Sequence, residues 1–293
     1  MKKEKLKGLF NASFIITFSV LALYAIILIF LFSWGFVNSF KSKFYFNNID
    51  KIFPAKWGEW QWDNYLTAWN GFFYTMDNGV KTSPWEQVLW SLWYAGGASV
   101  VSVACTCMVA YVCAKFKYKF CEFIYVFVII AMALPLMGTA PAMIVFLNKI
   151  NLFDTIPGML LMSFTFLDMY FLIFYGAFQG ISNEYKEAAL IDGASEWTIF
   201  FKIMLPLVFP MITTVFLIKF IERWNNYQFA YLYLPTHPTL AYSVLHVMTR
   251  SATTDTVPLK LTSSMILALP ILALFIAFRN KIMGNMTVGG VKE

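Results

Sequence analysis

Four ionisable side chains lie within long apolar stretches of the sequence, where a charge could take part in binding, ion pairing or proton transfer. They are Asp168, Lys219, Glu222 and Arg223. Charged groups are costly to bury in hydrocarbon and usually face a helix-bundle interior or a water-filled cavity. Lys219 and Glu222 are three residues apart and can pair along one helix face, so a neutral structural pair and a substrate-lining role are both open. Asp168 and Glu222 could instead relay protons, which is the chemistry of a proton-coupled secondary transporter.

The remaining reactive side chains do not form a recognisable catalytic or metal site. His237 and His246 are nine residues apart, too far for a ligand pair on one helix. The four cysteines lack CxxC spacing and match small buried apolar residues. The P-loop, HExxH and GxSxG strings do not occur. We therefore expect no catalytic residues, no metal and no cofactor.

The composition is that of a membrane protein and not of a water-soluble domain. Of 293 residues, 59% are hydrophobic and 13% are charged, and the mean hydropathy is +0.64. The net charge of +6 comes from short clusters between uncharged runs. This pattern is typical of membrane-flanking charge and argues against a nucleic-acid-binding surface.

Six apolar runs are long enough to cross about 30 Å of hydrocarbon as helices. They are residues 11–36, 87–113, 123–147, 156–179, 207–234 and 259–279. The predicted fold class is therefore an all-α membrane protein with six transmembrane helices, in a single transmembrane domain over residues 1–293. Pro135, Gly138 and Pro141 interrupt the third run, and either a gate on a substrate path or a plain packing kink would account for them.

The distribution of Lys and Arg places both termini in the cytoplasm. In that orientation the cytoplasmic side carries twelve of these residues and the outer side carries eight. Residues 37–85 then form an extracytoplasmic loop, residues 180–206 a cytoplasmic loop, and residues 280–293 a cytoplasmic tail. The outer loop is rich in Trp and Tyr, which is typical of an aromatic belt in the headgroup region, and a docking surface for an external partner is the alternative.

Part of the cytoplasmic loop, called here the 184–206 segment, has the pattern of two short helices joined by a sharp turn. Ser182 can cap the first helix, and Gly193 can adopt the left-handed conformation that closes it. Ser195 can then cap the second helix. We expect Pro206 to end that second helix where the fifth span begins.

The second helix also carries an apolar stripe, which requires a partner to bury it. The stripe recurs at i, i+3, i+4 and i+7 and consists of Trp197, Phe200, Phe201 and Met204.

The 184–206 segment resembles the coupling loop of the permeases of ATP-binding-cassette importers, which carries an EAA motif, then Gly, and later Ile-x-Leu-Pro. The matching residues are Glu187, Ala188, Ala189, Asp192, Gly193, Ile203, Leu205 and Pro206. The resemblance implies that they couple the chain to an ATPase. Two adjacent alanines allow a partner backbone to approach closely, and short capped helices can pass a push to the membrane helices.

Other stretches resemble the maltose-type, carbohydrate-importing permeases over roughly residues 85–293. They are Ala110–Phe120, Ala133-Leu134-Pro135, Trp224-Asn225 and the Gly289–Lys292 tail. The chain departs from that family at Ser182, where Pro is usual, and at Trp90-Ser91, where Asn-Ser is usual.

The resemblance implies a type I ABC importer permease fold in the bacterial cytoplasmic membrane. It further implies a second permease subunit, two cytoplasmic ATP-binding subunits, an extracytoplasmic sugar-binding protein and a carbohydrate substrate, with membrane lipid but no nucleic acid as a further partner. The candidate substrate-path residues are Pro135, Trp224, Asn225 and Tyr227. The rival hypothesis is a proton-coupled secondary transporter, although no internal repeat typical of such carriers is evident. A membrane scaffold without a transport role is a third possibility.

Overall fold

The structure is a computed structural model that describes residues 12–53, 55–75, 79, 81–134, 138–250 and 256–286. Across these ranges the regular structure is helical apart from one pair of two-residue antiparallel strands. Contacts divide the chain into two compact units, Met1–Phe72 with His246–Ala268 and Phe73–Leu245 with Leu269–Glu293. The single transmembrane domain over residues 1–293 stays a prediction.

The elements are numbered in chain order. The α-helices are α1 (Ala12–Ser39), α2 (Lys43–Asn48), α3 (Asp63–Gly71), α4 (Pro84–Leu92), α5 (Ala98–Lys115), α6 (Lys119–Ala133), α7 (Ala140–Lys149), α8 (Ile156–Met162), α9 (Met169–Gln179), α10 (Glu184–Ile191), α11 (Glu196–Ile199), α12 (Leu205–Trp224), α13 (Tyr227–Tyr233), α14 (Leu240–Thr249) and α15 (Val257–Met286). The strands are β1 (Tyr74–Thr75) and β2 (Lys81–Thr82). A 3₁₀ turn spans Trp57–Glu59, and π-helical turns at Trp93–Gly97 and Phe200–Met204 join α4 to α5 and α11 to α12.

Among the described residues, four helical stretches are long and apolar enough to cross a membrane. They are Phe14–Ser39, Pro84–Lys115, Glu196–Trp224 and Val257–Arg279. These stretches contain most of the first, second, fifth and sixth predicted spans. Apolar side chains are exposed along most of α1, as expected of a helix whose surroundings are lipid.

The third and fourth predicted spans are each divided into two shorter helices. In the third, α6 ends at Ala133 and α7 begins at Ala140, and Gly138 between them has a φ of 78°. This break was predicted, although Pro135 itself lies outside the described residues. The break in the fourth span was not predicted. It places Asp168 at the N-cap of α9, where its carboxylate accepts hydrogen bonds from the amides of Tyr170 and Phe171.

The larger unit is built on three packed helices, because α9 lies along α5 and α12 packs against both. Phe171, Phe174 and Phe178 of α9 are fully buried and follow an i, i+3, i+7 stripe. Ala110 of α5 is also fully buried and belongs to the same core. All four cysteines are free and buried, which confirms their predicted role as small apolar residues.

In the smaller unit the chain folds back on the end of α1. The ring of Phe40 packs against Trp60, Trp62 and Tyr65, with centroids 4.8–5.0 Å apart. Lys41 is 1% exposed, and its ammonium group donates to the carbonyl of Asp50 at 2.9 Å. Burial lowers the pKa of Lys41, and the nearby Asp50 carboxylate opposes the shift. This part of the loop over residues 37–85 is therefore ordered by packing as well as being rich in aromatic residues.

Candidate functional site

The first helix of the 184–206 segment ends in a Schellman motif around Gly193. The Ala194 amide donates to the carbonyl of Ala189 at 2.9 Å, and the Gly193 amide donates to the carbonyl of Leu190 at 3.0 Å. Gly193 has a φ of 77°, which confirms the predicted left-handed conformation. A Cβ built on Gly193 meets nothing within 4 Å. The requirement for glycine therefore comes from the backbone conformation and not from lack of space.

The start of the first helix differs from the prediction. Asn183 is at the N-cap without a side-chain capping bond, and the helix begins at Glu184. The hydroxyl of Ser182 still accepts a hydrogen bond from the Glu184 amide at 3.2 Å. Ser182 therefore stabilises the turn before the helix but does not occupy the N-cap, because the capping geometry falls one residue later.

The second helix starts as predicted and is tied to the first. The hydroxyl of Ser195 accepts a hydrogen bond from the Thr198 amide, which is the capping bond. Lys186 of α10 forms an ion pair with Glu196 of α11 at 3.0 Å. The two helices are thus held in one arrangement by the turn and by this bridge.

The C-terminal end of α5 holds the 184–206 segment in place. The ammonium group of Lys115 donates to the Ile181 carbonyl at 2.6 Å and to Oδ1 of Asn183 at 3.0 Å. The ammonium group of Lys186 lies 3.7 Å from the ring centroid of Phe116, a cation–π contact. The end of α5 is therefore in direct contact with α10 and with the residues just before it.

The predicted apolar stripe on the second helix is split between core and surface. Phe200 and Met204 are buried, at 5% and 0% exposed, whereas Trp197 and Phe201 are 68% and 53% exposed. Ile191, just before the turn, is 86% exposed. The exposed apolar residues Ile191, Trp197 and Phe201 are called here the apolar knob, and no other described part of the chain covers them.

Pro206 does not end the second helix, so that prediction was wrong. Helical structure continues from Glu196 to Trp224, with Pro206 in the first turn of α12. The π-turn makes this possible: the Leu205 amide reaches back to the carbonyl of Phe200, five residues earlier. Such a widened turn accommodates a proline, whose ring would otherwise clash with the preceding turn. As a result, the second helix of the 184–206 segment, the π-turn and α12 form one continuous helical stretch.

The other residues that match the EAA pattern occupy both faces of the segment. Glu187, Ala188 and Asp192 are exposed, and Ala189 is buried at 8% exposure. Ile203 and Leu205 are partly buried against the core of the larger unit.

A ladder of polar contacts joins α5, α9 and α12 inside the apolar core. The ammonium group of Lys219 contacts Oδ2 of Asp168 at 2.5 Å and the hydroxyl of Ser102 at 2.7 Å. Lys219 therefore does not pair with Glu222, which corrects the helix-face pairing. The carboxylate of Glu222 instead accepts from the Tyr170 hydroxyl at 2.9 Å. Helix packing places partners from α5 and α9 within hydrogen-bonding distance of these two side chains, and the local i, i+3 contact between Lys219 and Glu222 does not form.

Two members of this ladder, Lys219 and Glu222, also line a cavity of about 290 Å³. It is lined by Tyr94, Met162, Ser163, Lys219, Glu222, Arg223, Asn226 and Phe229. Its polar lining comes largely from the end of α12, where Lys219, Glu222 and Arg223 share one face by their i, i+3, i+4 spacing, and Asn226 follows as the N-cap of α13.

Of the predicted substrate-path residues, Pro135 lies outside the described residues, and Trp224, Asn225 and Tyr227 are not among the residues that line this cavity. Trp224 is buried and stacks on Phe220, with ring centroids 5.8 Å apart. The side-chain amide of Asn225 donates to the carbonyl of Ile221, and Tyr227 begins α13. Their role in a substrate path stays a prediction.

Sequence reasoning missed the small polar residues that complete the ladder. Ser99, Ser102 and Thr106 are each 0% exposed and lie on one face of α5. Ser99 accepts from Arg223 at 3.1 Å, and Thr106 donates to the carbonyl of Thr165. Their i, i+3, i+7 spacing in an apolar helix was the available signal.

The histidines do not form a metal site in the part of the chain that the structure describes. His237 contacts Asp154 at 3.2 Å and packs edge-on against Trp90. His246 lies within α14. Among the described residues, no group of three His, Cys, Asp or Glu side chains is placed to hold a metal ion.

Comparison with known proteins supports one family. The profile of the family described as "Binding-protein-dependent transport system inner membrane component" matches residues 102–284. The arabinooligosaccharides transport system permease protein AraQ of Halalkalibacterium halodurans is 27% identical over 226 residues, which cover 74% of this chain and 80% of AraQ. The lactose transport system permease protein LacG of Rhizobium radiobacter is 26% identical over 282 residues, which cover 95% of this chain and 96% of LacG.

A solved structure shows the same fold. It is a bacterial ABC transporter involved in the import of the acidic polysaccharide alginate, and one of its chains matches with a TM-score of 0.72 at 18% identity. The match covers 95% of this chain and 97% of that one. With the family profile covering more than half of its residues, the chain belongs to the binding-protein-dependent transport system inner membrane components.

Proposed function

We propose that the chain is a permease subunit of an ATP-driven, binding-protein-dependent importer of sugars or oligosaccharides. Family membership supports a transport permease rather than an enzyme. The names of relatives such as AraQ and LacG favour saccharide cargo. The observation that carries the coupling role is the apolar knob, which is exposed on a segment fastened to α5 and continuous with α12.

The coupling would be mechanical. Closure of the ATPase subunits on ATP would push the 184–206 segment, with Glu187, Ala188, Ala189 and Gly193 at the contact. The rod formed by α11, the π-turn and α12 would carry that displacement to the polar ladder and the cavity. The spans would then alternate between inward-open and outward-open states, because packed interfaces of this kind have discrete arrangements.

The assembly follows from the same proposal. The chain would cross the membrane six times, with the third and fourth crossings made by broken helices, and both termini would be cytoplasmic. It would pair with a second permease subunit and bind two cytoplasmic ATPase subunits, which would hold the ATP. An external binding protein would deliver the saccharide to the outer loop.

The apolar knob provides a direct test. We expect Trp197→Ser to weaken binding of the ATPase subunits about tenfold or more, because aromatic residues central to an interface often contribute about 2 kcal/mol or more. The measurement is co-purification and titration of the ATPase subunits against the solubilised permease pair. Trp85→Ser is the matched control, since Trp85 is 67% exposed at the start of α4, on the side predicted to face outward.

Unchanged ATPase binding by the Trp197 variant would remove the apolar knob from the interface. Equal losses in both variants would indicate a general folding defect. In that case the Phe201→Ser variant, whose side chain is 53% exposed, repeats the test at the neighbouring position.

A further inference from the structure

The cavity beside α12 presents hydrogen-bonding capacity that the protein does not use. Nη1 of Arg223 donates to Ser99, and among the described residues its other N–H groups have no acceptor. Glu222 accepts one hydrogen bond, from Tyr170, and the described part of the chain supplies no other donor. Leaving such groups unpaired in a membrane helix is costly unless water or a ligand meets them.

The charges around the cavity balance. Lys219 is compensated by its contact with Asp168. The remaining lining charges are Arg223 and Glu222, one of each sign, which form no ion pair with each other at 4 Å or less. An anionic ligand would satisfy the guanidinium but be repelled by the carboxylate, and a cation would meet the opposite conflict.

An uncharged polyol resolves this conflict. A hydroxyl both donates and accepts, so neighbouring hydroxyls on one sugar ring can accept from Arg223 and donate to Glu222 without adding charge. The cavity volume of about 290 Å³ is just below the usual range for small-molecule sites, about 300–1,000 Å³. Tyr94 and Phe229 stack on each other at 4.6 Å and form an apolar wall of the cavity.

We infer that this permease itself contacts its cargo, and that the cavity binds an uncharged saccharide through Arg223 and Glu222. This inference rests on the proposed function and names the substrate class for it. The two side chains are then specificity-determining residues: together they select neutral rings and disfavour sugars that carry a carboxylate.

The test measures sugar binding to the assembled complex. The thermal midpoint of the solubilised permease–ATPase complex is recorded against increasing glucose, and separately against sodium glucuronate with sodium chloride at equal ionic strength. We expect glucose to stabilise the wild-type complex and glucuronate to add nothing beyond chloride. Arg223→Gln should weaken the glucose response about tenfold or more, because it removes charge-assisted hydrogen bonds. Glu222→Gln should create a response to glucuronate, because it removes the repelling charge.

Each other outcome contradicts the inference. A glucose response that Arg223→Gln leaves intact would be a general solvent effect, and a wild-type preference for glucuronate would indicate an acidic cargo. If Arg223→Gln fails to assemble, Arg223→Lys retains the charge without the fork geometry, and a wild-type glucose response there would overturn the assignment.

Loss of the second permease from both the Arg223 and the Glu222 variants would mean that a partner chain occupies the cavity. ATP-driven uptake measured with the binding protein distinguishes failure of this inference from failure of the proposed function. If uptake persists while the glucose response is absent, only this inference fails.

Discussion

Replacing Gly193 by valine is expected to lower ATP-driven uptake about tenfold or more, with a parallel loss of stimulated ATP hydrolysis. Gly193 has a φ of 77°, a conformation that costs a β-branched residue about 1–3 kcal/mol. Nothing lies within 4 Å of a Cβ at this position, so the effect would come from the backbone alone. The turn would rearrange, and α10 would lose its fixed relation to α11. The measurement is uptake and ATPase activity in proteoliposomes that contain the complete complex.

Two variants make this result specific. Gly193→Asn should retain most activity, because asparagine tolerates the left-handed conformation. Gly180→Ala should also be tolerated, since Gly180 has a φ of −69° and its Cβ would lie at ordinary contact distance, 3.5 Å, from the Ala177 carbonyl. Correctly assembled Gly193→Val complexes that keep both uptake and stimulated hydrolysis would show that the turn has no coupling role.

Removing the cation of the polar ladder is expected to destabilise the permease strongly. Lys219 is 4% exposed and compensates Asp168 between α12 and α9. Loss of one partner from a buried ion pair costs about 3–5 kcal/mol. We expect the stability loss of Lys219→Met to lie at the lower end of this range, because the Asp168 side chain is 25% exposed and keeps its two backbone donors. Thermal unfolding of the solubilised complex measures the loss.

The double variant Lys219→Met with Asp168→Asn should recover most of the stability. It leaves no unpaired charge, and asparagine still caps α9. Lys149→Met is the control for losing a surface lysine, because Lys149 is exposed at the end of α7 and should change stability by no more than about 0.5 kcal/mol. A double variant as unstable as Lys219→Met alone would contradict the ion-pair account.

The single variant Asp168→Asn separates the two transport mechanisms. A carrier that moved protons through Asp168 and Glu222 would depend on the proton gradient and would lose that dependence in Asp168→Asn. In the structure Asp168 is held by Lys219 and by two backbone amides of α9, and Glu222 by the Tyr170 hydroxyl. These contacts favour fixed structural charges. Uptake in vesicles, measured with ATP and with a protonophore, distinguishes the mechanisms directly.

Local chemistry explains which features were predicted successfully from the sequence. The left-handed turn at Gly193 and the cap at Ser195 depend on residues within a few positions of each other, so their types and spacing were sufficient. The apolar runs and the break in the third span were predictable for the same reason, since hydrophobic length and a Gly/Pro cluster act locally. The EAA pattern likewise identified the family from one short segment.

Features that depend on contacts between distant helices could not be read from spacing. The sequence by itself determined a membrane-embedded helical chain, the two short helices of the 184–206 segment with the turn between them, and the charged face of the fifth span. Only the tertiary structure decided that Lys219 pairs with Asp168, 51 residues away, and that Glu222 accepts a hydrogen bond from Tyr170. It also decided that a π-turn carries the helix through Pro206. The physical reason is that a charged or backbone group in a packed apolar core bonds to whichever partner lies within reach. Which partner that is depends on the packing of the whole helix bundle.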